Sequence, residues 1–381
     1  MSDYLAGLND AQRRAVTHRD GPLLVVAGAG AGKTKTITHR ILNLIKSGIA
    51  PDKILAITFT NKAAKEMLDR VMKLIAQEPE LSNEKARPFL STFHALGVHL
   101  LREHGRALGI PRHFSIADRD DSLAIIKTAL QDLGYDPKSV EPRRILGAIS
   151  REKGKLINVA HYAEHLEQNP FGQVVLEIWR RYETTLGAGE SLDFDDLILK
   201  AVSLLRDHPT VLALCQNRWH YLHIDEYQDT NGAQYQMARL LAGTRENICA
   251  VGDLDQSIYS WRGADFKNLL RFEHDFPKAT IVTLEENYRS TQTILEAANR
   301  IITKNVNRLE KTLYTKNGRG EKLTLITALD EKEEAALIAG LASQIIERGG
   351  SPNQIAVLYR ANFQSRALEE AMLRASVQYR V

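Results

Sequence analysis

LLVVAGAGAGKTKTITHRILNLIK, residues 23–46, decides the fold class. Its first five residues form a continuous aliphatic run, the pattern of a strand buried on both faces. AGAGAGKT (27–34) follows, built from residues with little or no side chain, and 33–47 then places apolar residues at helical spacing. A strand that passes through a glycine-rich turn into a helix gathers backbone N–H groups and the positive end of a helix dipole at one point. That combination suits phosphate oxygens. There Lys33 reaches the β- and γ-phosphates of a nucleoside triphosphate, and the Thr34 hydroxyl ligates Mg2+. Ala27 stands where the strict pattern has its first glycine. The bland alternative is a Gly/Ala turn with an incidental Lys-Thr, which the strand–turn–helix context disfavours.

Working outward, ILAITF (54–59) reads as a second buried strand and 61–76 as a helix. The βαβ pattern implies a parallel sheet covered by helices. From about 110 to 190 strand signals vanish, and the segment is helical in period, broken at Pro111, Pro137, Pro142 and Pro170. This predicts an inserted all-α domain. Strand-like runs return at YLHIDE (221–226) and NICAVGD (247–253), where the first domain resumes. A third block begins at IVTLEE (281–286). It continues with a helix at 291–303, a strand at LTLIT (323–327), a helix at 331–347 and a strand at IAVLYR (355–360). Three strands make a small parallel sheet, so this block is expected to be incomplete and to carry an exposed edge. The expected domains are 1–105 and 193–280 as two parts of one unit, 106–192 as the insertion, and 281–381 as the third block.

Composition excludes several classes. The 381 residues are 44% hydrophobic and 25% charged, which is ordinary for a folded protein and not for a disordered or fibrous one. No apolar run approaches the ~20 residues of a membrane-spanning helix, and MSDYLAGLNDAQRR lacks a signal-peptide core. Two isolated cysteines, Cys215 and Cys249, make neither a disulfide framework nor a zinc site, so a cytoplasmic location is the expectation. The net charge of +3 does not reveal a polyanionic partner. Any such partner must be read from local features.

HIDEYQDTN (223–231) is the second chemical signal, two adjacent carboxylates at the end of an apolar run. Asp225 suits a metal held through water, and Glu226 suits polarisation of an attacking water. An Asp-Glu pair alone is more often a solvated strand end. Beside a phosphate loop it becomes a catalytic candidate, and the inserted domain accounts for the long separation of the two motifs.

Together these motifs resemble an ordered series. LNDAQ (8–12), AGAGAGKT (27–34), AITFTNKAAKEM (56–67), STFHALG (91–97), LDFDDL (192–197), HIDEYQDTN (223–231), VGDLDQSIYSWRGA (251–264), LEENYRS (284–290) and LYRANFQSRALEE (358–370) follow the order of UvrD/Rep/PcrA-type superfamily 1 DNA helicases. The resemblance covers essentially the whole chain. It implies an α/β fold: a P-loop RecA-like parallel-sheet domain with an inserted all-α domain, followed by the start of a second RecA-like domain. It also implies an ATP-dependent 3′-to-5′ translocase and helicase with ATP and Mg2+ as cofactors. The implied partner is single-stranded DNA and the single-strand/duplex junction, with repair or replication proteins and self-association as further possibilities and no membrane.

Residue by residue, the resemblance makes Gln12 the reader of the adenine edge and Tyr288 the aromatic on the base. It assigns the loop Ala27, Gly28, Ala29, Gly30, Ala31, Gly32, Lys33, Thr34 and Lys35 to the phosphates, and Thr34 and Asp225 to the metal. Glu226 becomes the catalytic base, Gln256 the γ-phosphate sensor linked to the DNA face, and Arg289 a cation reaching the γ-phosphate across a cleft. A cation there stabilises charge developing on the transferred phosphoryl group.

A sequence-independent single-strand track needs aromatic faces for bases and polar groups for phosphates. Thr58, Phe59, Asn61, Thr92, His94, Phe194, Tyr259, Trp261 and Arg262 are the candidates, with Phe194 and Trp261 resembling the family's stacking residues. For a lone aromatic, core packing is the commoner role. Arg143, Arg144, Arg151, Lys153 and Lys155 form a basic cluster that reads either as a DNA-contacting surface or as an ordinary solvated face.

Leu254 departs slightly from the family pattern. A larger departure is that the family's later motifs, including a second arginine to the γ-phosphate, are not among these residues. The expectation is that the 381 residues alone bind nucleotide and DNA, hydrolyse slowly and do not unwind. Two other readings remain open: the helicase portion of a RecB/AddA-like helicase–nuclease, and a nucleotide-gated DNA-binding module without motor activity.

Overall fold

The structure is a computed structural model, and it describes residues 4–81, 85–136, 138–166, 169–260, 263–306 and 308–381. The chain divides into two compact units, one ending at Gly320 and the other covering Glu321–Val381.

Among the described residues, eight strands lie in the first unit: β1 (Leu23–Ala27), β2 (Ile54–Thr58), β3 (Phe89–Thr92), β4 (Ser115–Ala117), β5 (Ser191–Asp193), β6 (Tyr221–Ile224), β7 (Ile248–Gly252) and β8 (Thr280–Leu284). Six of them form one parallel sheet in the order β3-β2-β6-β7-β1-β8. β1 is an interior strand, with Val25 in register with Val251 on one side and Val282 on the other. All five of its residues are buried. Successive side chains of a strand point to opposite faces. Leu24 and Val26 accordingly enter one core, while Leu23, Val25 and Ala27 enter the other.

Helices α1 (Asp10–Thr17), α2 (Lys33–Lys46), α3 (Asn61–Ala76) and α4 (Phe93–His104) surround the first three strands. The insertion holds α5 (Arg119–Asp132), α6 (Pro142–Gly154), α7 (Val159–Glu164) and α8 (Pro170–Ala188). Its own core is built around Ile126, Ile145, Ile149, Ile178, Trp179 and Tyr182. Pro142 and Pro170 open α6 and α8, where a missing N–H costs nothing. Pro111 lies just before β4, and Pro137 lies outside the described residues. The insertion is not purely helical at its margins, because β4 and β5 pair in parallel and close its two ends together. Three-residue strands are too short to show a period in sequence.

After the insertion come α9 (Phe194–Asp207), α10 (Pro209–Arg218), α11 (Gly232–Ala242), α12 (Lys267–Leu270), α13 (Phe272–Asp275) and α14 (Gln292–Ile302). β8 is hydrogen-bonded along the whole of β1, so the run at 281–286 belongs to the first unit's sheet.

The second unit contains α15 (Glu331–Glu347) and α16 (Ser365–Arg374). They pack through Ala335, Ala339, Ala342 and Ala371, small side chains that let the helices approach closely, with Met372 filling the space beside them. The strands expected at 323–327 and 355–360 do not form. A strand exists only where a neighbour takes up its N–H and C=O groups. Here Leu325 and Leu358 are both 94% exposed with no paired strand beside them. No helix among the described residues is long and apolar enough to cross a membrane.

Candidate nucleotide site and single-strand track

Parallel sheets place their functional loops at the carboxyl ends of the strands. β1 ends in the glycine-rich loop, β6 in Asp225 and Glu226, β7 in the turn carrying Asp253 and Gln256, and β8 in the segment 285–290. Four distant motifs therefore meet on one rim.

Gly30 and Gly32 take positive φ values of +69° and +83°. A Cβ on Gly30 would lie 2.6 Å from Asn287 Nδ2, and one on Gly32 would lie 2.7 Å from Gln12 Nε2. The loop is thus held from both sides where no side chain fits. Gly28 N donates to the Leu284 carbonyl at 3.3 Å and Ala31 N to the Gly28 carbonyl at 3.2 Å. Ala27 and Ala31 are buried. α2 starts directly at Lys33, and the first-turn N–H groups of Lys33, Thr34 and Lys35 have no carbonyl a turn behind them. With Ala29 and Gly30 they form the candidate phosphate cradle. Lys35 differs from expectation, because its ammonium donates to the Gly7 carbonyl at 2.7 Å. Its backbone N–H alone faces the cradle.

A closed circuit of hydrogen bonds occupies the next position. Lys33 Nζ donates to Glu226 Oε2 at 2.8 Å and to Gln256 Oε1 at 3.4 Å. Gln228 Nε2 donates to Glu226 Oε2 at 2.9 Å, and Gln228 Oε1 accepts from Asp253 N at 3.0 Å. Gln256 Nε2 donates to Asp253 Oδ2 at 2.6 Å, closing the ring. Glu226 has φ +51°, a left-handed conformation that is costly for a residue with a side chain. Its turn is held by Asp229 N donating to the Glu226 carbonyl at 3.0 Å. Asp225 lies at the strand end, where burial and then the neighbouring Glu226 push its carboxyl up to about 6.

Gln12 and Tyr288 flank the loop on its other side. Asn9 and Gln12 form a reciprocal capping box at the start of α1. Gln12 is buried, and its Nε2 donates to the Ala31 carbonyl at 3.0 Å. Arg40, fully buried, donates to the carbonyls of Ala15, His18 and Arg19, which anchors the end of α1 on α2. Tyr288 is half exposed, and its hydroxyl accepts from Asn9 Nδ2 at 2.9 Å. Arg289 is exposed beside Gly30 and forms no ion pair among the described residues.

The sequence reading gave no role to Asn287 or Gln228. Asn287 Nδ2 donates to the Ala29 carbonyl at 2.6 Å, while its Oδ1 accepts from Arg289 N at 2.8 Å and Ser290 N at 2.7 Å. Both residues sit inside quoted motifs, but nothing local marks an amide as the clamp of a loop more than 200 positions away. The N-x-x-Q spacing of Asn9 and Gln12 was a readable capping signal.

Among the described candidates, Phe59 and Asn61 follow β2, His94 follows β3 and Tyr259 follows β7 on the same rim. Phe194 follows β5 of the small two-stranded sheet and reaches this group through His94. Phe59 and Tyr259 stack with centroids 4.9 Å apart. His94 and Phe194 meet edge to face at 5.9 Å, and Phe194 is 51% exposed. Burial lowers the His94 pKa, favouring the neutral ring. Thr58 and Thr92 correct the expectation of direct contact, for both are buried. The Thr58 hydroxyl donates to the Thr60 carbonyl at 3.1 Å. The Thr92 hydroxyl caps α4 by accepting from Ala95 N at 3.2 Å, and it donates to Asn61 Oδ1 at 3.3 Å. Trp261 and Arg262 lie outside the described residues.

One member of the basic cluster is corrected, while Arg143, Arg144, Arg151 and Lys155 are exposed. Lys153 is fully buried against Glu183, Asp193 and Asp196 at 2.8, 2.8 and 3.0 Å. Arg144 covers the Phe171 ring at 4.4 Å, and Lys155 pairs with Glu152 at 2.8 Å. Three carboxylates supply more than enough charge to hold one ammonium out of water.

The family model for the UvrD/REP helicase N-terminal domain matches residues 8–277, and that for the UvrD-like helicase C-terminal domain matches residues 282–381. The chain is similar to the ATP-dependent DNA helicase PcrA of Leuconostoc citreum, 45% identical over 376 residues, which is 98% of this chain and 49% of that protein. It is 44% identical over 382 residues to the PcrA of Bacillus subtilis strain 168, covering 100% of this chain and 51% of the relative. The chain thus spans about half the length of the curated relatives it matches. With both family models matching in order, and the glycine-rich loop, the paired carboxylates and Gln256 on one sheet rim, the chain belongs to the UvrD/Rep family of DNA helicases.

Proposed function

We infer that this chain carries the ATP site and part of the single-strand track of an ATP-dependent DNA helicase that moves 3′ to 5′ on single-stranded DNA and opens duplex at a junction. The observation that carries the reading is the closed circuit from Lys33 through Glu226, Gln228, Asp253 and Gln256. It joins the phosphate-binding cation, the candidate base and the candidate sensor in one network, which simple nucleotide retention does not need. In this reading residues 1–105 and 193–280 belong to the first RecA-like domain around the insertion 106–192. β8 at Thr280–Leu284 completes its sheet, and the second domain begins beyond that strand rather than at 281. A cytoplasmic location accords with two buried, unpaired cysteines.

The residues present fit a magnesium–nucleotide complex. No group of three or more metal-binding side chains occurs among the described residues. Mg2+ bound with a nucleotide keeps waters and phosphate oxygens as most of its ligands, so one hydroxyl and one carboxylate suffice. Thr34 and Asp225 would hold it, and it would neutralise charge between the β- and γ-phosphates. Lys33 leaves Glu226 for the phosphates, which frees the carboxylate to orient and deprotonate water. Gln256, released from Asp253, offers its amide N–H groups to the γ-phosphate. Arg289 supplies a cation from the segment after β8. Phe59, Tyr259, His94 and Phe194 offer ring faces to successive bases.

ATP hydrolysis by this chain with and without single-stranded DNA, against Lys33→Ala, tests the reading. DNA-stimulated turnover that Lys33→Ala abolishes supports a motor site. Nucleotide and DNA binding without turnover supports the gated-module alternative, or 381 residues that hydrolyse slowly by themselves.

A further inference from the structure

Lys311 is the most deeply buried lysine in the first unit apart from Lys153, and no motif points to it. Its side chain is 2% exposed. Its ammonium lies 2.6 Å from Asp253 Oδ1 and 2.5 Å from Asp255 Oδ2. Arg308 adds a second cation to Asp255 at 3.2 Å and donates to the Lys311 carbonyl at 3.0 Å. The segment that carries Lys311 is tied to the phosphate loop. The Leu313 side chain lies where a Cβ on Gly28 would be, 2.2 Å from its Cδ2. Thr312 N donates to Glu285 Oε1 at 2.8 Å, and Asn287 N donates to the Tyr314 carbonyl at 2.7 Å.

Asp253 therefore divides its carboxylate. Oδ1 faces Lys311, and Oδ2 accepts from Gln256 Nε2 at 2.6 Å. Asp253 is itself buried, so its charge must be balanced from within the protein. With Lys311 present, most of that balance comes from the ammonium, and the Gln256 amide can exchange Asp253 for an incoming phosphate oxygen. Without Lys311, the amide is a principal remaining donor to a buried charge and is withheld.

We propose that Lys311 is a positioning residue for γ-phosphate sensing: it neutralises Asp253 so that Gln256 is free to turn to the nucleotide. The inference rests on the reading of Gln256 given above. It assigns a function to the segment 308–314, which links the sensor turn after β7 to the roof of the phosphate loop.

The test is the ratio of affinities for Mg2+–AMP-PNP and Mg2+–ADP, measured by isothermal titration, which needs no turnover. Gln256→Ala is expected to cut the preference for the triphosphate about tenfold, the worth of one hydrogen bond to a charged group. Lys311→Met is expected to cut it equally with ADP affinity unchanged. Lys311→Arg should keep most of the preference, and Lys311→Met with Asp253→Asn should restore it, because the charge that withholds the amide is gone. If Lys311→Met does not fold, Lys311→Gln keeps a donor to Asp253 without the charge and should show the same loss.

A ratio unmoved by Gln256→Ala overturns the sensor reading and the inference with it. A ratio lowered by Gln256→Ala but not by Lys311→Met or Lys311→Gln overturns the inference alone. So does a double variant that stays as low as the single, or a loss that affects ADP equally.

Discussion

Lys33 Nζ and Glu226 Oε2 lie 2.8 Å apart, so the cation of the phosphate loop and the carboxylate after β6 neutralise each other. Nucleotide binding must exchange this partner for phosphate oxygens. Glu226→Gln removes the competitor and leaves the loop intact. Its affinity for ATP is expected to equal or exceed that of the unaltered chain by up to about tenfold. Any hydrolysis should fall by about 100-fold or more with the general base gone. Titration with a fluorescent ATP analogue and a phosphate-release assay check both, and weaker binding by Glu226→Gln would contradict the exchange.

Asn287 clamps the phosphate loop by one donor and two accepted hydrogen bonds, from Ala29 to Ser290. Asn287→Ala leaves the Ala29 carbonyl and two N–H groups without partners. It should lower stability by about 1–3 kcal/mol and weaken nucleotide binding. Asn287→Asp keeps the acceptor but loses the donor, so it should preserve the 287–290 turn yet still loosen the loop. Thermal unfolding with and without nucleotide separates the two effects.

Phe194 is 51% exposed and touches His94 edge to face, a ring with little to lose from the core on removal. Phe194→Ala should weaken single-stranded DNA binding by about 1–3 kcal/mol, as expected for one stacked base. Neither the unfolding temperature nor the salt slope of binding should change, because no charge is removed. Fluorescence anisotropy at several salt concentrations measures this; an unchanged affinity would remove Phe194 from the track.

Lys153 is the one buried cation among Glu183, Asp193 and Asp196, joining the insertion to the start of α9, with Lys200 reaching Asp196 from outside at 3.8 Å. Lys153→Met strands buried carboxylates and should destabilise the protein by about 3–5 kcal/mol. Burial first, and then Asp193 and Glu183 against the pull of Lys153, raises Asp196 from 3.8 to about 6. A carboxyl whose folded pKa lies above its unfolded value holds its proton better in the native state, so its contribution falls as pH rises from about 4 to 6. Asp196→Asn should therefore gain on the unaltered chain between pH 5 and pH 7, by an amount on the order of 1–2 kcal/mol. Denaturant unfolding at the two pH values checks the sign.

Much of this was legible in local sequence. Leu23–Ala27 could only be a doubly buried strand, and the glycines at 30 and 32 meet their required positive φ. Asp225 and Glu226 sit at the end of β6 as their apolar lead-in implied. LTLIT at 323–327 misled, because alternation and β-branching describe a willing strand and do not supply the neighbour that makes one. Lys153 misled for the opposite reason. Its sequence neighbours are charged, but the three carboxylates that bury it come from α8, β5 and α9.

By itself the sequence determined the strands β1, β2, β6 and β7, the glycine-rich loop between β1 and α2, and the family, since each depends on patterns a few residues long. Only the tertiary structure decided the order β3-β2-β6-β7-β1-β8. That order sets the glycine-rich loop and the segment 285–290 after β1 and β8, and Phe59 and His94 after β2 and β3. The Asp225–Glu226 pair and Gln256 lie after the two strands between them. Strand order and the contacts of Gln228, Asn287 and Lys311 arise from chain segments far apart in sequence. Their physical cause is the need of buried polar groups for partners, and no local pattern records where those partners will be.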